Sequence, residues 1–232
     1  MKEQKSRHEF KYRCTEAQLC VLKNRLDKAL PLDAHAGSGG YTIRSMYFDN
    51  YANRFYYENE NGTDPREKFR IRIYNADASR ITLECKRKEH TKTMKTSCRL
   101  TMEQYQSILR NSMPLSPEVQ NPVLRKFLYL QKTQGLKPAV IVEYDRIPYV
   151  CPTGNVRITL DKNIRSSNAF SNFFDPSLPC RPLLPTAQHI LEVKYDELLP
   201  DHIHQLLQLD SLQQTTFSKY YLCRKYSFGG IL

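Results

Sequence analysis

KFRIRIY, residues 68–74, alternates without interruption: Lys68, Arg70 and Arg72 fall on one side of an extended chain, Phe69, Ile71 and Ile73 on the other. Side chains two apart point the same way along a strand, so this stretch predicts a strand with an apolar face for a core and a cationic face for something else. The same period of two recurs at 6–14 (SRHEFKYRC), 40–48 (GYTIRSMYF), 66–74 (REKFRIRIY), 80–88 (RITLECKRK), 93–100 (TMKTSCRL), 139–150 (AVIVEYDRIPYV), 155–161 (NVRITLD) and 188–196 (QHILEVKYD). Each reads as a strand. The gaps at 75–79 (NADAS) and 89–92 (EHTK) are of hairpin length, which predicts a three-stranded meander over 66–100.

Helices interrupt the strands rather than alternate with them. Thr15 with Gln18 forms a capping box, and Leu19, Leu22, Leu26 and Leu30 continue on one helical face. Residues 102–111 and 122–134 are helical by the same reading, with Pro122 in a first turn. Residues 200–209 and 217–228 close the chain as helices. Four prolines between 166 and 187 mark a loop long enough to be a crossing or lid segment. Mostly antiparallel strands with a few flanking helices predict an α+β fold, read here as one domain over 1–232.

Composition bounds the partners. Against 24 Asp and Glu stand 35 Lys and Arg, a formal charge of +11, which favours a polyanion. Seven scattered cysteines without a C-x-x-C pair fit neither a disulfide framework nor a zinc site and indicate a reducing compartment. The opening residues are too charged for a signal peptide, and no apolar run reaches the ~18 residues of a membrane span. The chain therefore reads as soluble and cytoplasmic, with any membrane association made through a partner. No helix-turn-helix, zinc-finger or RNA-recognition signature is present, so nucleic acid is not the expected polyanion.

The charged faces carry the chemistry. Arg7, Glu9 and Lys11 share one face of the first strand; Glu84, Lys86 and Lys88 share one face of another; Arg157, Thr159 and Asp161, and Glu192 with Lys194, repeat the arrangement. A sheet with one wetted face accounts for such residues singly. Nearly all of these positions are ionic, however, where a wetted face is usually diluted with neutral polar groups. If the sheet closes with that face inward, about eight strands leave room for packed side chains or one slender ligand. Cations packed there would need a multiply charged anion, and a linear phosphate chain is narrow enough. Glu9, Glu84, Asp161 and Glu192 would supply the hard oxygens that suit Mg²⁺ or Mn²⁺.

The ordered segments RHEFKY (7–12), IRSMYFDN (43–50), KFRIRIY (68–74), LECKRK (83–88), VEYDRIPY (142–149), VRITLD (156–161), LEVKY (191–195) and FSKYYL (217–222) resemble the successive motifs of the VTC domain. This family is a polyphosphate polymerase branch of the triphosphate tunnel metalloenzyme, or CYTH-like, superfamily. The resemblance implies an eight-stranded antiparallel β-barrel tunnel with flanking helices. It implies a metal-dependent phosphotransferase that moves the terminal phosphate of a nucleoside triphosphate onto polyphosphate. By the same resemblance, Lys11, Arg70, Arg72, Lys86 and Arg146 would bind phosphate, Lys219 on the C-terminal helix would close one end, and Glu192 would bind metal. Lys88, Arg99, Arg157 and Lys194 are lining candidates by strand parity. In the broader superfamily the first strand reads E-x-E-x-K, where this chain has Arg7, Glu9 and Lys11.

Transfer between phosphates asks for positioning and charge neutralisation. A terminal phosphate is already an anionic nucleophile, whereas water needs a base. Arg7, standing where hydrolytic relatives keep a glutamate, therefore points to transfer. The alternatives are a tripolyphosphatase or nucleoside triphosphatase of the same fold, and a non-catalytic module binding polyphosphate or inositol polyphosphates. His202 and His204 point apart on a helix and read as surface residues. Phe170, Phe173 and Phe174 read as loop anchors in the core.

Overall fold

A computed structural model describes residues 8–37, 39–90, 92–209 and 212–227. Arg7 and the start of the predicted first strand lie outside the described residues, as do Thr91 in the second hairpin and Phe228 at the end of the predicted last helix. Among the described residues the strands are β1 (His8–Thr15), β2 (Tyr41–Asp49), β3 (Arg66–Tyr74), β4 (Asp77–Glu89), β5 (Lys92–Leu100), β6 (Lys137–Cys151), β7 (Val156–Ser167), β8 (Arg181–Pro182), β9 (Gln188–Tyr195) and β10 (Gln213–Gln214). The α-helices among them are α1 (Glu16–Ala29), α2 (Arg54–Glu60), α3 (Met102–Leu109), α4 (Pro122–Gln134), α5 (Asp201–Leu207) and α6 (Lys219–Ser227). None of them is long and apolar enough to cross a membrane.

The strands pair in the order β10-β1-β9-β7-β6-β2-β3-β4-β5, with β8 on β7. Among the described residues this order has two ends, β10 and β5, so hydrogen bonding does not join it into a ring. In place of the expected eight-stranded closed barrel, the described residues form a ten-stranded antiparallel sheet whose order is open. The two additional strands, β8 and β10, are two residues each. Such pairs are too short to show any alternation.

The chain divides into two compact units, each assembled from separate segments: 1–42, 143–165 and 182–218 in the first, 43–142, 166–181 and 219–232 in the second. In the first unit, the apolar faces of β1, β7 and β9 (Cys14, Val156, Ile158, Leu160, Leu191, Val193) pack with Leu19, Leu22 and Leu26 of α1, Ile203 of α5 and Tyr149. The capping box that starts α1 is formed: Thr15 Oγ1 accepts from Gln18 N–H, and Thr15 N–H donates to Gln18 Oε1.

In the second unit, β3, β4 and β5 form the expected meander. The first turn is tighter than the gap implied, because only Asn75 and Ala76 separate β3 from β4. Both have positive φ, 52° and 55°, the backbone twist that two-residue hairpins need. Phe69, Ile71 and Ile73 are buried as their alternation requires, and Phe127 of α4 meets Phe48 and Phe69 edge-on. Helix α4 begins with Pro122 in its first turn, capped by the Asn121 side chain, and ends at Gly135 with φ 66°. The 166–181 segment is fastened by Arg44, 2% exposed, whose guanidinium donates to the carbonyls of Phe173 (2.7 Å) and Asp175 (2.8 Å).

Candidate functional site

In the second unit, register decides which charges meet. Arg70 lies between Tyr47 of β2 and Glu84 of β4, Arg72 between Ser45 and Thr82, and Lys68, Lys86 and Lys95 stand side by side across β3, β4 and β5. Glu84, 3% exposed, is the hub. Arg70 approaches its Oε2 through Nε at 2.7 Å and Nη2 at 2.6 Å, Lys95 reaches Oε1 at 3.2 Å, and Arg72 Nη1 stands 3.9 Å away. Burial alone would raise the Glu84 pKa. Arg70, Arg72 and Lys95 outweigh it and hold the carboxyl well below its ordinary value. Three cations thus surround one carboxylate in a half-buried row.

Behind that row lies a chain of aromatic contacts. Arg70 Nη1 donates to Tyr47 Oη at 2.8 Å, and the Tyr47 ring lies 5.0 Å from that of Tyr220 on α6, centroid to centroid. Tyr220 is itself fixed, its hydroxyl donating to Asp49 Oδ2 at 2.5 Å. Burial first, then the Asp49 charge, pushes that phenol far above its ordinary pKa. Asp49 also accepts the backbone N–H groups of Phe55 and Tyr56 at the start of α2.

The first unit carries a second ionic row. Lys11 on β1, Glu192 on β9 and Thr159 on β7 are in register, as are Glu9, Lys194 and Arg157. Lys11 Nζ is 2.6 Å from Glu9 and 3.8 Å from Glu192; Lys194 Nζ is 2.5 Å from Glu192 and 3.7 Å from Glu9. Arg146 on β6, 9% exposed, grips Asp161 with both arms (Nε at 2.7 Å, Nη2 at 2.8 Å) and stands 3.9 Å from Glu192. Burial works against the charged guanidinium, but Asp161 and Glu192 hold its pKa well above the ordinary value. Gly40 lets the chain pass beside this arginine: its φ is +103°, and a Cβ there would sit 2.2 Å from the Arg146 carbonyl oxygen. Here carboxylates and cations are closer to balance than in the second unit.

The sequence profile of the VTC domain matches residues 6–228. The chain belongs to the VTC domain family. This VTC domain is also similar in fold to the crystal structure of a putative adenylate cyclase from Bacillus halodurans, at 16% identity and a TM-score of 0.50 over 87% of this chain and 86% of that one. The PH1819 protein of Pyrococcus horikoshii aligns at 14% identity and a TM-score of 0.42 over 87% and 84% of the two chains, and a conserved hypothetical protein of Pyrococcus furiosus at 11% and 0.42 over 87% and 86%. No match was found among curated protein sequences. The family belongs to the CYTH-like tunnel-fold superfamily, which associates the VTC domain with phosphate- and nucleotide-related chemistry.

The predicted site residues of the VTC domain fall into three groups. Arg70, Arg72, Lys86 and Glu84 come together in the second unit, and Lys11, Lys194, Arg146, Asp161, Glu192 and Glu9 in the first. Others stand apart from these pairs. Arg99 is exposed and donates to the Ser79 carbonyl at 2.7 Å, Arg157 bonds Tyr41 and Asp33, Lys88 is exposed, and Lys219 opens α6 one residue before Tyr220. Residues missed in the sequence are Ser45, Tyr47, Lys95, Asp49 and Tyr220. The first three follow from parity once register is known; the last two carry no local signal.

Among the described residues no group of three or more His, Cys, Asp or Glu is placed to hold a metal ion. Mg²⁺, however, is commonly held by one or two carboxylates together with substrate phosphates. Glu192, with Glu9 bridged to the same two lysines, meets that lesser requirement, and an orphaned buried hydroxyl, Thr159 Oγ1, lies in the same row.

Proposed function

We propose that this VTC domain is a metal-dependent polyphosphate polymerase. It would transfer the terminal phosphate of a nucleoside triphosphate to the end of a polyphosphate chain. An oxygen of the chain's terminal phosphate attacks the γ-phosphorus, the bond from that phosphorus to the β-bridging oxygen breaks, and the nucleoside diphosphate leaves with the electron pair. The chain is one phosphate longer. Arg70 and Arg72 present planar donor forks to nonbridging oxygens, and Lys11, Lys86, Arg146 and Lys219 act as fixed charges. Lys88, Arg99, Arg157 and Lys194 are proposed to track the chain at longer range. Glu192 and Glu9 would hold Mn²⁺ or Mg²⁺, whose contribution when bound is to neutralise charge on the leaving phosphates.

One observation carries the choice of polymerase over hydrolase. All four candidate carboxylates are committed to ion pairs: Glu9 to Lys11, Glu84 to Arg70, Asp161 to Arg146 and Glu192 to Lys194. None of them stands as an uncommitted base for water, which transfer to water requires and transfer to a phosphate does not. The deciding experiment is incubation of the purified protein with ATP and Mn²⁺, resolving products by size. Growth of polyphosphate with release of ADP is expected. Rapid release of orthophosphate without chains would overturn the proposal in favour of a hydrolase. Polyphosphate binding that survives EDTA, without turnover, would make it a binding module.

A further inference from the structure

Thr159 occupies the middle of β7, between Ile158 and Leu160 of the apolar face, and is in register with Glu192 on β9. Its neighbours along the charged face are engaged, Asp161 with Arg146 and Arg157 with Tyr41 and Asp33. Thr159 is 2% exposed, yet its hydroxyl has no hydrogen-bond partner among the described residues. An unpaired buried hydroxyl is costly. Valine fills the same space without that cost and favours strands equally. A buried polar group left without a partner calls for a ligand or water to complete it.

The neighbours decide which ligand. Lys194, Lys11 and Arg146 stand 2.5, 3.8 and 3.9 Å from the Glu192 carboxylate, so a cation at this hydroxyl requires phosphate oxygens that take up those three charges. A divalent cation is attracted by that carboxylate and accepts a neutral hydroxyl oxygen as readily as water. Joint holding of Mg²⁺ by a hydroxyl side chain and a carboxylate is the arrangement used in P-loop nucleotide enzymes. We propose that Thr159 Oγ1 is, with the Glu192 carboxylate, an oxygen ligand of the divalent cation. This rests on the metal-dependent reading above and adds a neutral ligand to it. Lys11 and Lys194, already on Glu192 at 3.8 and 2.5 Å, then have a phosphate oxygen to turn to when the cation takes their carboxylate.

The test is titration of Mn²⁺, with and without inorganic tripolyphosphate, into wild-type protein, Thr159→Val, Thr159→Ser and Glu192→Gln, read by electron paramagnetic resonance. The melting temperature of each metal-free protein is measured alongside. Thr159→Val is expected to weaken Mn²⁺ binding tenfold or more, a loss of the size seen when metal-site residues are removed. Its metal-free melting temperature should be unchanged or higher, and Thr159→Ser should retain binding. Wild-type affinity in Thr159→Val, with Glu192→Gln impaired, would overturn the role of Thr159 while leaving the metal reading intact. A lowered metal-free melting temperature in Thr159→Val would also overturn it, by making the hydroxyl a structural one. Absence of Mn²⁺ binding by the wild type under both conditions would overturn both readings together.

Discussion

Glu84→Gln gives the sharpest view of what holds the cationic row of the second unit together. Glutamine keeps the shape and the acceptor oxygen but removes the charge that Arg70 meets at 2.6 and 2.7 Å, Lys95 at 3.2 Å and Arg72 at 3.9 Å. Breaking one side of a buried pair costs about 3–5 kcal/mol. The lower end applies here, because Lys95 is more than half exposed and screened and Gln still accepts from Arg70. A loss of about 3 kcal/mol corresponds to roughly 6–12 °C in Tm for a chain of this size. The pH dependence has a definite sign. Because the Glu84 pKa is depressed in the folded state, its stabilisation is fully present above the unfolded value of ~4.3 and disappears only as pH falls through the lower folded value. Urea unfolding of both proteins between pH 7 and pH 3 is the assay. The gap between wild type and variant should be constant from pH 7 to 5 and narrow below about pH 4. A gap under about 0.5 kcal/mol at pH 7, the size of an ordinary surface substitution, refutes the reasoning. So does a gap that closes between pH 7 and 5.

Tyr220→Phe removes only the hydroxyl that Asp49 accepts at 2.5 Å; a loss of about 1–3 kcal/mol is expected from chemical unfolding, with amide exchange accelerating in α6. Gly40→Ala should destabilise the fold by several °C in a thermal melt, because the added Cβ would sit 2.2 Å from the Arg146 carbonyl oxygen at a φ of +103°. Arg146→Lys keeps the charge but loses the two-armed grip on Asp161. It should therefore lower stability, and turnover should fall more than ground-state binding of tripolyphosphate, measurable as kcat against KM.

The strands were legible because period-two alternation is a local property. KFRIRIY buries Phe69, Ile71 and Ile73 as read, and the helix capped by Thr15 begins where its capping box lies. Helix α2 escaped notice for a physical reason. Its first N–H, that of Arg54, is accepted by the Asn50 side chain four residues upstream and the next two by Asp49, while the adjacent residue, Asn53, has φ 53° and makes no side-chain cap. Closure of the sheet depends on whether its end strands pair, which no single strand encodes. Arg44 did leave a signal: a cation on the face otherwise held by Met46 and Phe48, paid for by two carbonyls of the 170–175 segment. That contact makes the proline-rich stretch a fastened crossing in this part.

The site was legible by residue type and not by pairing. Alternation placed Arg70, Arg72 and Glu84 on one face. Only register shows that Glu84 is the shared counter-ion of Arg70, Arg72 and Lys95, a pairing that alternation along one strand does not reveal.

The claim that the basic face serves a phosphate chain is tested most directly by calorimetric titration of inorganic tripolyphosphate into wild type and Lys86→Ala, both verified as folded by circular dichroism. One charge-assisted hydrogen bond is worth about 1.5–3 kcal/mol, so the variant should bind roughly 10- to 100-fold more weakly. Equal affinity, or no binding by the wild type at low salt, would contradict the account.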